Sequence, residues 1–273
     1  MSHVSGFIDQ LAILNPFWLL VVYLGSCTAL GLWFTKRVDN DDARADLSDS
    51  GNKLLGASAT GLFVLIGFTV AILWNVLQDE LGAINNEIEV SGKISATSFL
   101  LEEEATNRIW ADLIDYLDVV STGDVLHLAT GDAPELPSTT TLVALLEEVN
   151  NPRNYTTENQ WIQQTLVNDV ALLSGNRASI RSIATRVMPP VLATVLVIAS
   201  GVVAVFAGSS MANHRKPYLV VGWVLSLTLA LSLAFWLNNP FTGPIRANFA
   251  GVADFADHLR DPPDRPTPPK STN

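Results

Sequence analysis

Leu54–Gln78, LLGASATGLFVLIGFTVAILWNVLQ, decides the fold. It runs 25 residues without an Asp, Glu, Lys, Arg or His. As a helix rising 1.5 Å per residue it reaches about 37 Å, more than the roughly 30 Å hydrocarbon core of a bilayer. In lipid the backbone must satisfy its own polar groups, so the stretch is a helix rather than a lone strand. Three further stretches are equally free of charge: Leu11–Thr35, Val187–Asn213 and Pro217–Ile245. Helices are predicted near 16–35, 55–78, 188–209 and 217–238. The fold class is therefore all-α: an integral membrane protein with four transmembrane helices and a helical insertion between the second and third.

Composition agrees. Of 273 residues, 48% are apolar and only 16% charged, against roughly 25% charged in ordinary soluble domains. Tryptophan favours the membrane interface. Trp18 and Trp33 bracket the first span, Trp223 and Trp236 most of the fourth, and Trp74 sits near one end of the second. The net charge of −11 argues against a nucleic-acid partner. Cys27 is the single cysteine, which leaves no intrachain disulfide and no thiolate metal site. No Lys or Arg precedes the first span, so it reads as a membrane helix rather than a secretory signal, with Cys27 a small buried residue within it.

The chain divides into a membrane helix pair at 1–78, a helical extramembrane insertion at 79–186, a second membrane pair at 187–245, and a tail at 246–273, disordered from about 261. In the insertion, Leu81, Ile84 and Ile88 carry the second helix past the membrane. Ile109, Leu113, Tyr116, Leu117 and Val120 form an amphipathic face. Ile162, Leu166, Val170, Leu173, Ile180, Ile183 and Val187 form another, which is expected to run straight into the third span. Thr139–Val149 reads as a short helix behind Pro137 and Ser138, and Gly123-Asp124 and Gly131-Asp132-Ala133-Pro134 as loops. Lys36, Arg37, Arg44 and Lys53 in one short loop, and Arg215 and Lys216 in another, favour those loops in the cytoplasm and the insertion outside, whereas Arg177, Arg181 and Arg186 just before the third span argue the other way.

Catalytic chemistry is scarce. His3, His127, His214 and His258 are scattered, and no nucleophile elbow or phosphate loop occurs. The protein is not expected to be an enzyme, and no cofactor is expected. Glu102-Glu103-Glu104 and Glu147-Glu148 could hold a cation, but consecutive helical residues diverge, so a solvated surface is the better reading. The spans lack the ionisable groups of proton relays, which argues against a pump but not against a channel gated by a hydrophobic constriction.

Small residues recur at Gly25 and Ala29, at Gly201, Ala204 and Gly208, and at Gly222, Ser226, Ala230 and Ala234, a pattern that lets helices approach closely. On the second span, Gly56, Thr60, Phe63, Gly67, Ala71, Trp74 and Gln78 lie along one face. Helix packing explains that face. A pore lining needs the same mixture, and in that case Thr60, Phe63, Gly67 and Ala71 line it, with Phe63 the constriction.

Several motifs resemble those of the bacterial bestrophin-like membrane proteins, a family long catalogued as a domain of unknown function. Glu87-Ile88-Glu89-Val90 is similar to the family's acidic continuation of the second helix. Leu113-Ile114-Asp115-Tyr116 is similar to its Leu-x-x-Tyr helix. Asn239-Pro240-Phe241-Thr242-Gly243-Pro244-Ile245 resembles its Pro-Phe-Ser-Gly segment, with Asn238-Asn239 where an acidic residue is usual. Glu89, Tyr116, Pro240, Phe241 and Gly243 carry the match. The resemblance implies a multi-pass protein of a bacterial (or phage-encoded) cell membrane. In its arrangement five copies surround an anion pore lined by the second span, with the insertion in the cytoplasm. That placement of the insertion is opposite to the charge-based one. The expected function is an oligomeric passive channel for small anions, with the lipid bilayer and further copies of the chain as partners. The alternative is a membrane-anchored helical interaction or sensor module that does not conduct.

Overall fold

A computed structural model of the chain describes residues 16–130, 136–184, 188–211, 217–239, 241 and 247–261. Among them there is no strand. The helices are α1 Pro16–Lys36, α2 Asp41–Ser98, α3 Glu103–Val119, α4 Val125–Thr130, α5 Ser138–Val149, α6 Gln160–Ala184, α7 Pro190–Met211, α8 Pro217–Leu237 and α9 Ala250–Arg260. Four of them, α1, α2, α7 and α8, are long and apolar enough to cross a membrane. The chain forms two compact units, Met1–Val76 with Val187–Arg246 and Leu77–Arg186 with Ala247–Asn273.

The first unit holds the membrane helices. α1 and α7 meet backbone to backbone, because glycine leaves nothing between them. A Cβ added at Gly31 would strike the Val205 carbonyl, and one at Gly208 would strike the Thr28 carbonyl. One at Gly201 would meet the Tyr23 ring and, at 3.5 Å, Cys27 Sγ. Cys27 is thus half-buried against α7 rather than fully enclosed. Tyr23 Oη donates to the Val197 carbonyl at 3.0 Å. The hydroxyls of Thr28, Thr69 and Thr228 fold back onto carbonyls four residues earlier in their own helices, at 2.8 to 2.9 Å, so these three donors are satisfied within the helix. On α8 the inward face is Leu227, Leu231, Ser232 and Ala234, whereas Gly222 and Ser226 are uncovered.

α2 starts earlier than the hydropathy suggests. The basic residues at 44 and 53 lie in helix rather than loop. Asn40 Oδ1 accepts from the Asp42 amide at 3.0 Å, an N-cap, and Asp41 and Asp42 stand in the first turn, where the helix dipole favours them. No proline follows until Pro134, so nothing stops the helix before Ser98.

The second unit is a water-type core. Ile109, Leu113, Tyr116, Leu117 and Val120 are buried, as are Ile162, Leu166, Val170, Leu173, Ile180 and Ile183. Three features depart from the expected layout. Gly123-Asp124 is not a loop but the end of a π-helical turn, Val120–Asp124, that joins α3 to α4. The α6 stripe does not run on into the third span. α6 ends at Ala184, and α7 begins anew at Pro190, since Pro189-Pro190 removes two amide donors and restricts the preceding backbone. Residues 250–260 form a helix, α9, with Val252, Ala256 and Leu259 buried. Gly131 to Pro134, Val187 and the tail from 262 lie outside the described residues.

Candidate functional site

The α2 face toward the rest of the chain is aliphatic. Leu62, Ile66, Thr69, Leu73 and Leu77 are buried. The opposite arc is uncovered: Gly56, Thr60, Gly67, Ala71, Trp74 and Gln78 are all exposed. A Cβ added at Gly56 or Gly67 would meet nothing within 4 Å. Of the four residues expected to line a path, Thr60, Gly67 and Ala71 therefore share one open stripe. Phe63 stands at its edge, half-buried. Its ring packs edge-to-face on Trp223 of α8, with centroids 6.0 Å apart. On the other side of the stripe Val64, Phe68 and Ile72 are exposed at successive helical turns, at 53%, 66% and 62%. Thr60 Oγ1 donates to the Gly56 carbonyl at 2.9 Å, which leaves the oxygen's lone pairs outward. The uncovered arc mixes small, hydroxyl, aromatic and aliphatic groups and holds no charge.

A second cluster lies in the insertion unit and was not anticipated. Glu87 of α2, Tyr116 of α3, Asp124 of the π turn and Arg177 of α6 converge with no access to solvent worth counting. Arg177 Nη1 binds Glu87 Oε2 at 3.1 Å, and Nη2 pairs with Asp124 Oδ2. Asp124 Oδ1 accepts from the Ser138 amide at 3.0 Å, which starts α5. Tyr116 Oη donates to Glu87 Oε1. Burial first, and the Glu87 carboxylate second, hold the Tyr116 phenol well above its ordinary value, so it stays a donor. The signal was present in the sequence. Arg177 occupies the stripe position between Leu173 and Ile180, and Glu87 falls in register with Ile84 and Ile94.

The motif residues have different surroundings. Tyr116 joins this cluster through Glu87, but Glu89 is exposed and pairs with Lys93 at 2.8 Å. Phe241 is buried, and its amide donates to Asn239 Oδ1 at 3.0 Å. Pro240 and Gly243 lie outside the described residues. Asn238 Oδ1 accepts from the Met188 amide at 2.6 Å, just ahead of α7. Of the two acidic runs, Glu104 and Glu148 are claimed by Arg108 at 2.8 and 2.7 Å. Burial pushes the Glu148 carboxyl up, but hydrogen bonds from Arg108 and Asn154 outweigh it and hold the group below its usual value. Among the described residues no cluster of His, Cys, Asp and Glu has the arrangement of a metal site.

The family model described as the Bestrophin-like domain matches residues 22–249, most of the chain. The chain belongs to the bestrophin-like family. Solved structures agree on the fold. A bacterial bestrophin homologue from Klebsiella pneumoniae, seen as a single-substitution variant, superposes with a TM-score of 0.67 at 13% identity, over 91% of this chain and 98% of its own. A second variant of the same homologue gives 0.66 at 13% identity, over 90% and 97%. A crystal structure described only as that of a membrane protein gives 0.68 at 15% identity, over 92% and 98%. No curated protein matches in sequence. This bestrophin-like chain thus shares the fold of those structures at only 13–15% sequence identity.

Proposed function

We propose that the protein is a homo-oligomeric passive channel for small anions in a bacterial cell membrane, with its path along the Thr60, Phe63, Gly67 and Ala71 stripe of α2. The observation that carries the reading is the inversion of α2 within a single chain. Leu62, Ile66 and Leu73 pack inward, and the Thr60, Gly67 and Ala71 stripe is left bare beside exposed Val64, Phe68 and Ile72. Bare small residues in lipid forgo close contacts, which further copies of the chain or a water-filled path would supply. The stripe holds no ionisable group, so it offers neither a fixed charge to trap an ion nor a relay to couple it to protons. Conduction through such a path is passive and is limited by dewetting at its narrowest ring. Phe63 supplies that ring when it is released from Trp223.

The test is recording from purified protein in liposomes, with cysteines at single positions in a Cys27→Ser background. Thr60→Cys, Gly67→Cys and Ala71→Cys are expected to react with a water-soluble thiol reagent and to change conductance, while Ile66→Cys stays silent. A reactive Ile66→Cys beside three silent stripe positions would make the stripe a packing face. The other reading, a membrane-anchored interaction or sensor module that does not conduct, is favoured by the unbroken 58-residue length of α2. A monomer on native mass spectrometry, with no conductance in liposomes, would select it. A symmetric ring that conducts selects the channel.

A further inference from the structure

Past the span, the buried row of α2 continues through Leu77, Glu80, Ile84, Glu87, Ser91, Ile94 and Ser98. Its polar members are not alike. Glu87 has Arg177 and Tyr116, and Ser98 accepts from Trp110 Nε1 at 2.8 Å. Glu80 is fully buried and has no hydrogen-bond partner for either carboxylate oxygen. An ionised carboxylate in that state is among the costliest arrangements a protein can hold, and the group escapes by keeping its proton.

The surrounding charges offer no rescue. On α2, Asp79 is exposed and Glu87 is already committed. On α6, Arg177 is spent on Glu87 and Asp124, and Arg181 is exposed. On α3 the Tyr116 hydroxyl goes to Glu87, and on α9 Asp254, Asp257, His258 and Arg260 are all exposed. Burial alone acts on the Glu80 carboxyl and pushes it up to about 8.

We propose that Glu80 is a proton-operated switch at the foot of the second span: it holds its proton while buried and must be hydrated to lose it. On ionisation the O–H bond breaks, the electron pair stays on the carboxylate, and the proton passes to bulk water. The charge cannot remain between Leu77 and Ile84 without water, so ionisation opens this row. Gln78, the last residue of the bare stripe, is two positions away on the same helix. The inference does not require that the protein conducts.

The sign of the linkage follows from a folded value above the unfolded one. Glu80 lowers stability progressively as pH rises from its ordinary range near 4.5 to about 8, with no further loss above that. The experiment uses the full chain in lipid. Infrared titration of the wild type is expected to show a protonated-carboxyl band whose protonated-to-ionised ratio falls ~10-fold per pH unit around its midpoint. The band should be missing from Glu80→Gln. Thermal unfolding of the wild type is expected to weaken over the same range, while Glu80→Gln and Glu80→Leu stay flat. A wild type without the band, or a band untouched by either substitution, overturns the proposal. So does a wild-type unfolding profile that matches Glu80→Gln at every pH. Should both variants fail to fold, the wild-type titration decides alone. Conductance measured in parallel separates this outcome from failure of the channel reading.

Discussion

The two units solve the same packing problem with opposite materials. In the membrane unit, α1 and α7 are joined by Gly31, Gly201 and Gly208, and threonine hydroxyls such as those of Thr28 and Thr35 close on their own helix. In the insertion unit, the helices are joined by wide aliphatic stripes and by a charged knot of Glu87, Tyr116, Asp124 and Arg177. The solvent explains the contrast. Lipid tails are as apolar as leucine, so burying leucine against leucine drives little association there, and close van der Waals contact must do it. Water drives the aliphatic stripes together at about 25 cal/mol per Å2, but such stripes specify register poorly. The knot supplies register, because Arg177 can reach both Glu87 and Asp124 in only one alignment of α2, the π turn and α6.

The strongest way to break the contrast is to remove the cation from the knot. Arg177→Met leaves Glu87 and Asp124 buried without a counter-charge, and a loss of about 3–5 kcal/mol is expected. Thermal unfolding in detergent checks this. The triple change Glu87→Gln, Asp124→Asn, Arg177→Met is expected to recover most of the loss, since no buried charge remains. A triple variant as unstable as the single one would mean that the guanidinium acts through shape rather than charge.

The next effect tests the glycine contact. Gly208→Val forces a side chain into the Thr28 carbonyl. Overpacking of this kind costs about 1–3 kcal/mol. Gly222→Val, on the uncovered side of α8, meets nothing within 4 Å and should leave the monomer's unfolding unchanged. Ser226→Leu, on that open face, is expected to reduce assembly rather than folding, measured by native mass spectrometry. Equal unfolding for Gly208→Val and Gly222→Val would erase the distinction between a closed and an open glycine face.

How much of this was legible follows from the same contrast. Charge-free length depends on the bilayer alone, so four spans could be read without knowing their neighbours. The stripes at Ile109–Val120 and Ile162–Ile183 were equally plain, because water sorts residues by period. Reading failed where a polar residue occupies a core position. Arg177 and Glu87 sit on their stripes, and a pattern search discards them as interruptions, although their presence there was the clue to the knot. The π turn was missed because Gly123-Asp124 has turn chemistry locally, and its distant partners Arg177 and the Ser138 amide explain why Asp124 is drawn inward. Pro189-Pro190 was outweighed by the apolar run around it. For the pore stripe, the residue types could be listed, but which face stays bare depends on how Leu62, Ile66 and Leu73 pack.

A smaller effect is expected at the stripe's edge. The Phe63–Trp223 pair is edge-to-face, a geometry worth ~0.5–1.5 kcal/mol. Trp223→Leu should lower stability by about that amount. It should also free the Phe63 ring to enter the path, which reduces open probability in liposome recordings. Phe63→Ala should raise it. Changes of the same sign in both variants would remove Phe63 from the gate.

The smallest effect is expected at Lys93, and it sharpens the meaning of the knot. Glu89 and Lys93 form an ion pair at 2.8 Å with the favourable order for i,i+4 spacing, on the same helix as Glu87. Both side chains are more than half exposed, at 63% and 53%. Their hydrogen bond holds the Glu89 carboxyl below and the Lys93 ammonium above the usual values. By sign, the Glu89 share is lost as pH falls through its lowered value, and the Lys93 share as pH rises through its raised one. Water and salt nevertheless screen the attraction, and ordering two long side chains offsets what remains. Lys93→Gln should therefore unfold with the wild type at low and high salt alike. A salt-dependent loss on the scale of the Arg177→Met effect would show that charge, rather than burial of charge, holds the insertion together.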